Sequence, residues 1–223
     1  MQAQEIKEAI VRDKLIAILR GVERGAIAGT VEALSRGGIR LVEITLDQGN
    51  DEKLQVALDA IRWVSRELDG RVIAGAGTVL TPDQASWAVE AGARYIISPD
   101  TNPAVIRRTR ELGALSIPGA FTPTEIAAAA AAGADLVKLF PAGVFGCEYI
   151  KAVRAPLSHV RLLAVGGVDV DNIRDFLRAG VAGFGIGSNL VDRALIARGA
   201  FDEIEARSRA FVLAVAGGGT SAR

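Results

Sequence analysis

A short pattern recurs along this chain: a small residue, a glycine, a small or apolar residue, then an apolar run. It reads Gly37-Gly38-Ile39, Ala91-Gly92-Ala93, Leu112-Gly113-Ala114, Ala132-Gly133-Ala134 and Ala179-Gly180-Val181. Gly92 and Gly113 are 21 residues apart, and Gly113 and Gly133 are 20 apart. Each copy reads as a helix end, its terminating glycine and the strand that follows. A period near 20 is about the least that holds one short helix and one short strand. Regular alternation of that kind implies repeated βα units and a parallel sheet.

Helix starts agree with this phasing. Thr81-Pro-Asp-Gln84 and Thr122-Pro-Thr-Glu125 both predict an N-cap threonine, proline at the first helical position and a reciprocal capping box. Asn102-Pro103 and Asp169 offer two more caps. Strands are expected over 14–20, 39–46, 71–77, 94–98, 114–118, 135–140, 160–165 and 182–186, with helices in the gaps and one before the first strand, near 3–12. Eight strands with helices between them give an α/β fold, a (β/α)8 TIM barrel with an extra N-terminal helix. A doubly wound open sheet is the structural rival. No linker or composition shift divides the chain, so a single domain is expected over 1–216, with a flexible glycine-rich tail over 217–223.

Hydrophobic residues make up 50% of the 223, enough for a sizeable core. Formal net charge is zero and no basic stripe appears, which argues against nucleic acid as a partner. No apolar run is long enough to cross a membrane, and Met1 to Lys14 lacks a secretory h-region. One cysteine, Cys147, allows no internal disulfide, so a reducing, cytoplasmic setting is expected. One histidine and one cysteine are too few for a zinc site of the usual kind, and no metal is expected. His159 falls just before the seventh strand and reads as structural or solvated. Trp63, Trp87 and the Ala127 to Ala132 run all read as helical packing residues.

In such barrels chemistry sits at the C-terminal strand ends. The sixth strand, Asp135-Leu-Val-Lys138-Leu-Phe-Pro141, carries a lysine in an apolar run, in a chain with only five lysines among 26 basic residues. Strand alternation places Leu136, Lys138 and Phe140 on one face. The second strand places Leu41, Glu43 and Thr45 on the barrel side. Both strands are even-numbered, so Glu43 and Lys138 can share a layer. They could be a buried ion pair that only neutralises two charges. The functional alternative is an amine nucleophile with a carboxylate proton shuttle.

Arg20 follows the first strand and suits a bidentate grip on a carboxylate, or is a plain surface arginine. Gly75-Ala-Gly77-Thr78 ends the third strand with room for a ligand and a hydroxyl, or with only a tight turn. Val165-Gly166-Gly167 ends the seventh strand, and Gly185-Ile-Gly187-Ser188 the eighth. Paired glycine loops at those two ends are where such barrels hold phosphate.

Taken in order, Leu15-Ile-Ala-Ile-Leu-Arg20-Gly21, Val42-Glu43-Ile-Thr45-Leu46, Gly75-Ala-Gly-Thr78-Val-Leu80, Ile97-Ser98-Pro99, Ile117-Pro118-Gly119, Val137-Lys138-Leu-Phe140-Pro141 and Val165-Gly166-Gly167-Val168 closely resemble the 2-keto-3-deoxy-6-phosphogluconate aldolase family. That family includes phosphogalactonate and 4-hydroxy-2-oxoglutarate aldolases, and the resemblance covers about residues 5–215. It implies a class I aldolase that works without a metal or other cofactor, through a Schiff base. It also implies a homotrimer, with a keto-acid sugar phosphate as substrate and pyruvate as one product. By position Lys138 resembles the Schiff-base lysine and Glu43 the general acid/base. Arg20 and Thr78 would hold the pyruvate carboxylate. Thr45, Pro118, Phe140 and Val165 would line the pocket, and Gly166, Gly167, Gly187 and Ser188 would hold phosphate.

Some gluconate-specific members carry an arginine where this chain reads Asp47-Gln48-Gly49. Arg20, Val165 and the stretch from Val144 to Ala152 lean toward the galactonate branch, while Thr45 leans toward the gluconate branch. Outside the aldolases, the same residues leave room for a phosphate-binding sugar isomerase or epimerase, or a non-catalytic sugar-phosphate-binding barrel.

Overall fold

A computed structural model describes residues 2–217. The tail expected over 217–223 lies outside them apart from Gly217, which caps the last helix. The elements run α1 (Ala3–Asp13), β1 (Leu15–Leu19), α2 (Ile27–Arg36), β2 (Leu41–Thr45), α3 (Asp51–Glu67), β3 (Ile73–Gly77), α4 (Pro82–Glu90), β4 (Tyr95–Ile97), α5 (Pro103–Glu111), β5 (Leu115–Ile117), β6 (Gly119–Ala120), α6 (Pro123–Ala131), β7 (Val137–Leu139), α7 (Gly146–Arg154), β8 (Leu162–Val165), α8 (Ile173–Arg178), β9 (Gly183–Ile186), α9 (Arg193–Ala197) and α10 (Phe201–Ala216). All eight expected strands are present, each shorter than the apolar run that suggested it.

The ninth strand comes from Pro118. Proline has no N–H to give a ladder, so the fifth barrel strand breaks there. Leu115–Ile117 pairs with β4, and Gly119–Ala120 pairs with β7. Every pairing is parallel, in the order β5-β4-β3-β2-β1-β9-β8-β7-β6. The two ends of that order are the two halves of one broken strand, so the sheet is a nearly closed barrel of the (β/α)8 TIM type. The Pro118 carbonyl still accepts, taking the Lys138 N–H at 2.9 Å.

Strand alternation sorts the core into two layers. Ile16, Leu41, Ile73, Tyr95, Leu115, Leu136 and Leu163 fill the lumen together with Ile6, Ala9 and Ile10 of α1. The N-terminal helix is therefore a plug for the bottom of the barrel. Val42, Ile44, Val137 and Leu139 point the other way and pack under the helices. Of the inward sets expected for the second and sixth strands, Leu41 and Leu136 fill the lumen and Glu43 and Lys138 are buried.

Three local expectations fail. Trp87 is 44% exposed on the outer face of α4, although Trp63 does pack on the core. On α6 only Ile126 and Ala129 are buried, so most of the alanine run faces outward rather than packing closely. The capping box of α6 forms, with Glu125 accepting from the Thr122 N–H at 2.7 Å. That of α4 does not: Thr81 accepts from the Gln84 N–H at 3.2 Å, but the Gln84 side chain goes elsewhere. His159 is exposed at the bottom face, as expected.

Candidate active site

Glu43 and Lys138 enter the site from opposite sides of the sheet order, on β2 and β7. Glu43 lies level with Ile18 of β1 and Gly75 of β3, and Lys138 level with Leu163 of β8 and Gly119 of β6. Both are buried, at 1% and 5% exposure. For charged side chains that is costly without a partner, yet among the described residues they form no ion pair with each other or with any other group. Glu43 Oε2 is buried with no hydrogen-bond partner. Lys138 Nζ stands 4.9 Å from the centre of the Phe140 ring.

Their electrostatics follow from burial. Loss of water pushes the Lys138 ammonium below its ordinary range; Glu43 pulls back up, and Arg20 adds a smaller downward push. The same loss of water pushes the Glu43 carboxyl up, against weaker pulls from Lys138 and then Arg20. Burial wins on both sides, so each group leans toward its neutral form. The pair makes no salt bridge among the described residues, which leaves the amine and the carboxyl free for other partners. A neutral amine is a nucleophile, and a protonated carboxyl can donate.

The local backbone is shaped around this carboxyl. A Cβ on Gly77 would meet Glu43 Oε1 at 1.8 Å, and a Cβ on Gly75 would meet the Tyr95 ring at 2.0 Å. Glycines at the end of β3 thus admit Glu43 above and Tyr95 beside it, whose hydroxyl donates to the Val42 carbonyl at 2.7 Å. The next residue, Thr78, has φ 57°. A β-branched residue in the left-handed region is a strained outlier, and such residues concentrate at functional sites.

A cavity of 470 Å³ opens above the lysine at the C-terminal end of the strands. Of the expected site residues it is lined by Arg20, Thr78, Lys138, Phe140, Val165, Gly166, Gly167, Gly187 and Ser188. Phe140, 41% exposed, forms part of the rim rather than the interior. Gly166 and Gly167 have φ 87° and 78°, a turn that only glycine makes without strain. Asn172 Nδ2 braces it by donating to the Gly167 carbonyl at 2.9 Å.

Three expected residues stand elsewhere. Glu43 is buried against the end of β3 and is not part of the cavity wall. Thr45 faces an adjoining groove of 540 Å³ that shares Arg20 and Thr78, and its hydroxyl donates to the Leu19 carbonyl at 3.3 Å. Pro118 supports Lys138 through its carbonyl but lines no part of the cavity. The wall also includes Gly185 of the eighth-strand glycine loop, and Ile18, Pro99, Val168 and Asn189, for which the sequence pattern predicts no role. Pro99 follows the fourth strand directly, and that position was the available signal. Among the described residues no three His, Cys, Asp or Glu side chains gather as metal ligands, and no helix is long and apolar enough to cross a membrane.

Comparison with known proteins gives a consistent result. The family profile described as KDPG and KHG aldolase matches residues 6–207. A probable 2-dehydro-3-deoxy-6-phosphogalactonate aldolase of Rhizobium meliloti is 41% identical over 177 residues, covering 79% of this chain and 81% of the relative. A 2-dehydro-3-deoxy-phosphogluconate aldolase of Treponema pallidum is 34% identical over 206 residues, covering 92% and 94%. Among solved structures, the KDPG aldolase of Legionella pneumophila, with pyruvate captured as a covalent carbinolamine, superimposes with a TM-score of 0.83 at 27% identity, over 92% of this chain and 97% of that one.

Proposed function

This chain belongs to the KDPG and KHG aldolase family, and from that premise we propose that it is a class I aldolase cleaving a 2-keto-3-deoxy-6-phospho sugar acid to pyruvate and glyceraldehyde 3-phosphate. The observation that carries the proposal is Lys138, a buried amine pushed toward its neutral form at the base of a cavity whose far wall is glycine turns.

The neutral Lys138 Nζ attacks the C2 ketone, and the carbinolamine hydroxyl leaves as water with a proton from Glu43. The resulting C2 iminium accepts an electron pair. Glu43, now ionised, takes the C4 hydroxyl proton through a water molecule. The C3–C4 bond then breaks, its electrons forming the enamine while the aldehyde departs. Protonation at C3 and hydrolysis release pyruvate and free lysine. No external oxidant, reductant or cofactor enters this balance. Arg20 and the Thr78 hydroxyl hold the keto-acid carboxylate. The backbone N–H groups of Gly166, Gly167 and Gly187, with Ser188, hold the phosphate.

The galactonate epimer is the favoured substrate. Its support is Arg20 as the cation at the mouth, Asp47 in place of a loop arginine, and the 41% identity to the Rhizobium relative. Side-by-side turnover of the two C4-epimeric phosphates and 4-hydroxy-2-oxoglutarate, followed by pyruvate release, tests this. The phosphogalactonate should have the highest kcat/KM, and no release from any of the three would sink the proposal.

We further place the activity in one cytoplasmic (β/α)8 domain, assembled as a homotrimer. The lone Cys147 supports the compartment. Support for assembly is an apolar patch near the cavity rim. Val144 and Phe145 are exposed there, and the Phe145 ring stacks on Phe121 at 5.2 Å. Light scattering should give three times the chain mass of 23.3 kDa; a monomer would refute the assembly alone.

A further inference from the structure

Gln84 sits at the third position of α4, where its side chain was expected to close a capping box. It leaves that box open. Gln84 Oε1 accepts from the Leu80 N–H at 2.8 Å, and Gln84 Nε2 donates to Gln48 Oε1 at 2.8 Å. Gln48 Nε2 in turn donates to the Thr78 carbonyl at 2.7 Å. A backbone carbonyl only accepts and a backbone N–H only donates, so the two ends of this relay fix the orientation of both amides. The relay ties the loop after β2 to the loop after β3, and it ends on the one cavity residue other than glycine with φ in the left-handed region, Thr78 at 57°.

We propose that Gln48 and Gln84 are positioning residues of the aldolase, holding the Thr78 backbone in its left-handed conformation so that its hydroxyl faces the keto-acid carboxylate. This rests on the reading of Thr78 as a carboxylate-binding residue. Gln48 is exposed and contributes nothing to the core. An exposed amide hydrogen bond adds little to stability, so the consequence of the relay lies in where Thr78 is held. Gln84 acts through Gln48. It is buried at 9% exposure beneath the loop, which removes it from contact with a ligand in the cavity.

The test uses Gln48→Ala, Gln84→Glu and the double variant of the full chain. Gln84→Glu still accepts from Leu80 but loses its donor, so Gln48 turns its own N–H groups toward the new carboxylate and its oxygen toward the Thr78 carbonyl. Each single variant should raise KM about five- to tenfold, the scale of one lost hydrogen bond, with kcat changed less than about threefold. The pyruvate concentration giving half-maximal borohydride trapping should rise by the same factor. The double variant should be within about twofold of Gln48→Ala, because the two residues act in series. Unchanged KM, a fall in kcat alone, or additive effects would overturn the proposal. Wild-type trapping separates the two readings: if wild type fails to trap pyruvate on Lys138 the aldolase reading itself fails, whereas normal wild-type trapping with unshifted variants removes only the positioning role.

Discussion

Glu43 and Lys138 are each held toward neutrality by burial, and the two shifts have opposite consequences for stability. A carboxyl whose pKa is raised by folding binds its proton more tightly in the folded state. Its contribution to stability is therefore intact at acid pH and erodes as pH rises from the ordinary carboxylate range through the raised value. An amine whose pKa is lowered does the reverse, eroding stability as pH falls from the ordinary lysine range. Glu43→Gln should consequently lose about 10²–10⁴ in kcat. It should melt at or above the wild-type temperature near neutrality, with the difference shrinking toward pH 4 or so. A large fall in melting temperature at pH 7 would contradict the burial account. Arg20 contributes part of the downward push on Lys138. Arg20→Met should therefore move the acid limb of kcat/KM to higher pH while raising KM, as read from a pH–rate profile.

The end of β3 is an element whose sequence was half legible. Gly75-Ala-Gly77-Thr78 signalled close approach of something to the backbone, but pointed to a ligand, whereas Gly77 in fact admits the Glu43 carboxyl. Gly77→Ala should therefore displace Glu43 and cost kcat on a scale comparable with Glu43→Gln. It should also destabilise by about 1–3 kcal/mol from overpacking, measurable by urea unfolding. Full activity in that variant would show that Glu43 has another place to go. Strand alternation found the inward faces of β2 and β7 because its period is two and both strands are buried. It failed at the strand ends: Thr45, the last residue of β2, turned to the adjoining groove, and Phe140, one residue past β7, reached the rim. Pro118 was legible as a residue near the site but not as a break in the ladder, which depends on which neighbour each half finds. The Gln84 oxygen still caps locally but takes the Leu80 N–H instead of the Thr81 N–H, and its amide nitrogen reaches Gln48, 36 residues away, a partner that local spacing does not show.

At the scale of the whole molecule, the glycine repeat predicted the barrel because each βα unit must bury its strand on both faces. The N-terminal helix was expected; its role as the lumen plug was not, since nothing in Ile6, Ala9 and Ile10 says which apolar surface they meet. Ile10→Ala should cost about 2–5 kcal/mol in unfolding free energy, yet leave KM and kcat nearly unchanged, because the plug and the cavity lie at opposite ends of the barrel. The whole architecture serves one event at the top end, attack by a single buried amine on a keto acid. Incubation with pyruvate and sodium borohydride, followed by peptide mass mapping, reads that event directly. A stable reduced adduct on Lys138, absent without pyruvate and lost in Lys138→Met, is the predicted result; no adduct, or an adduct confined to any of the other four lysines, would contradict it.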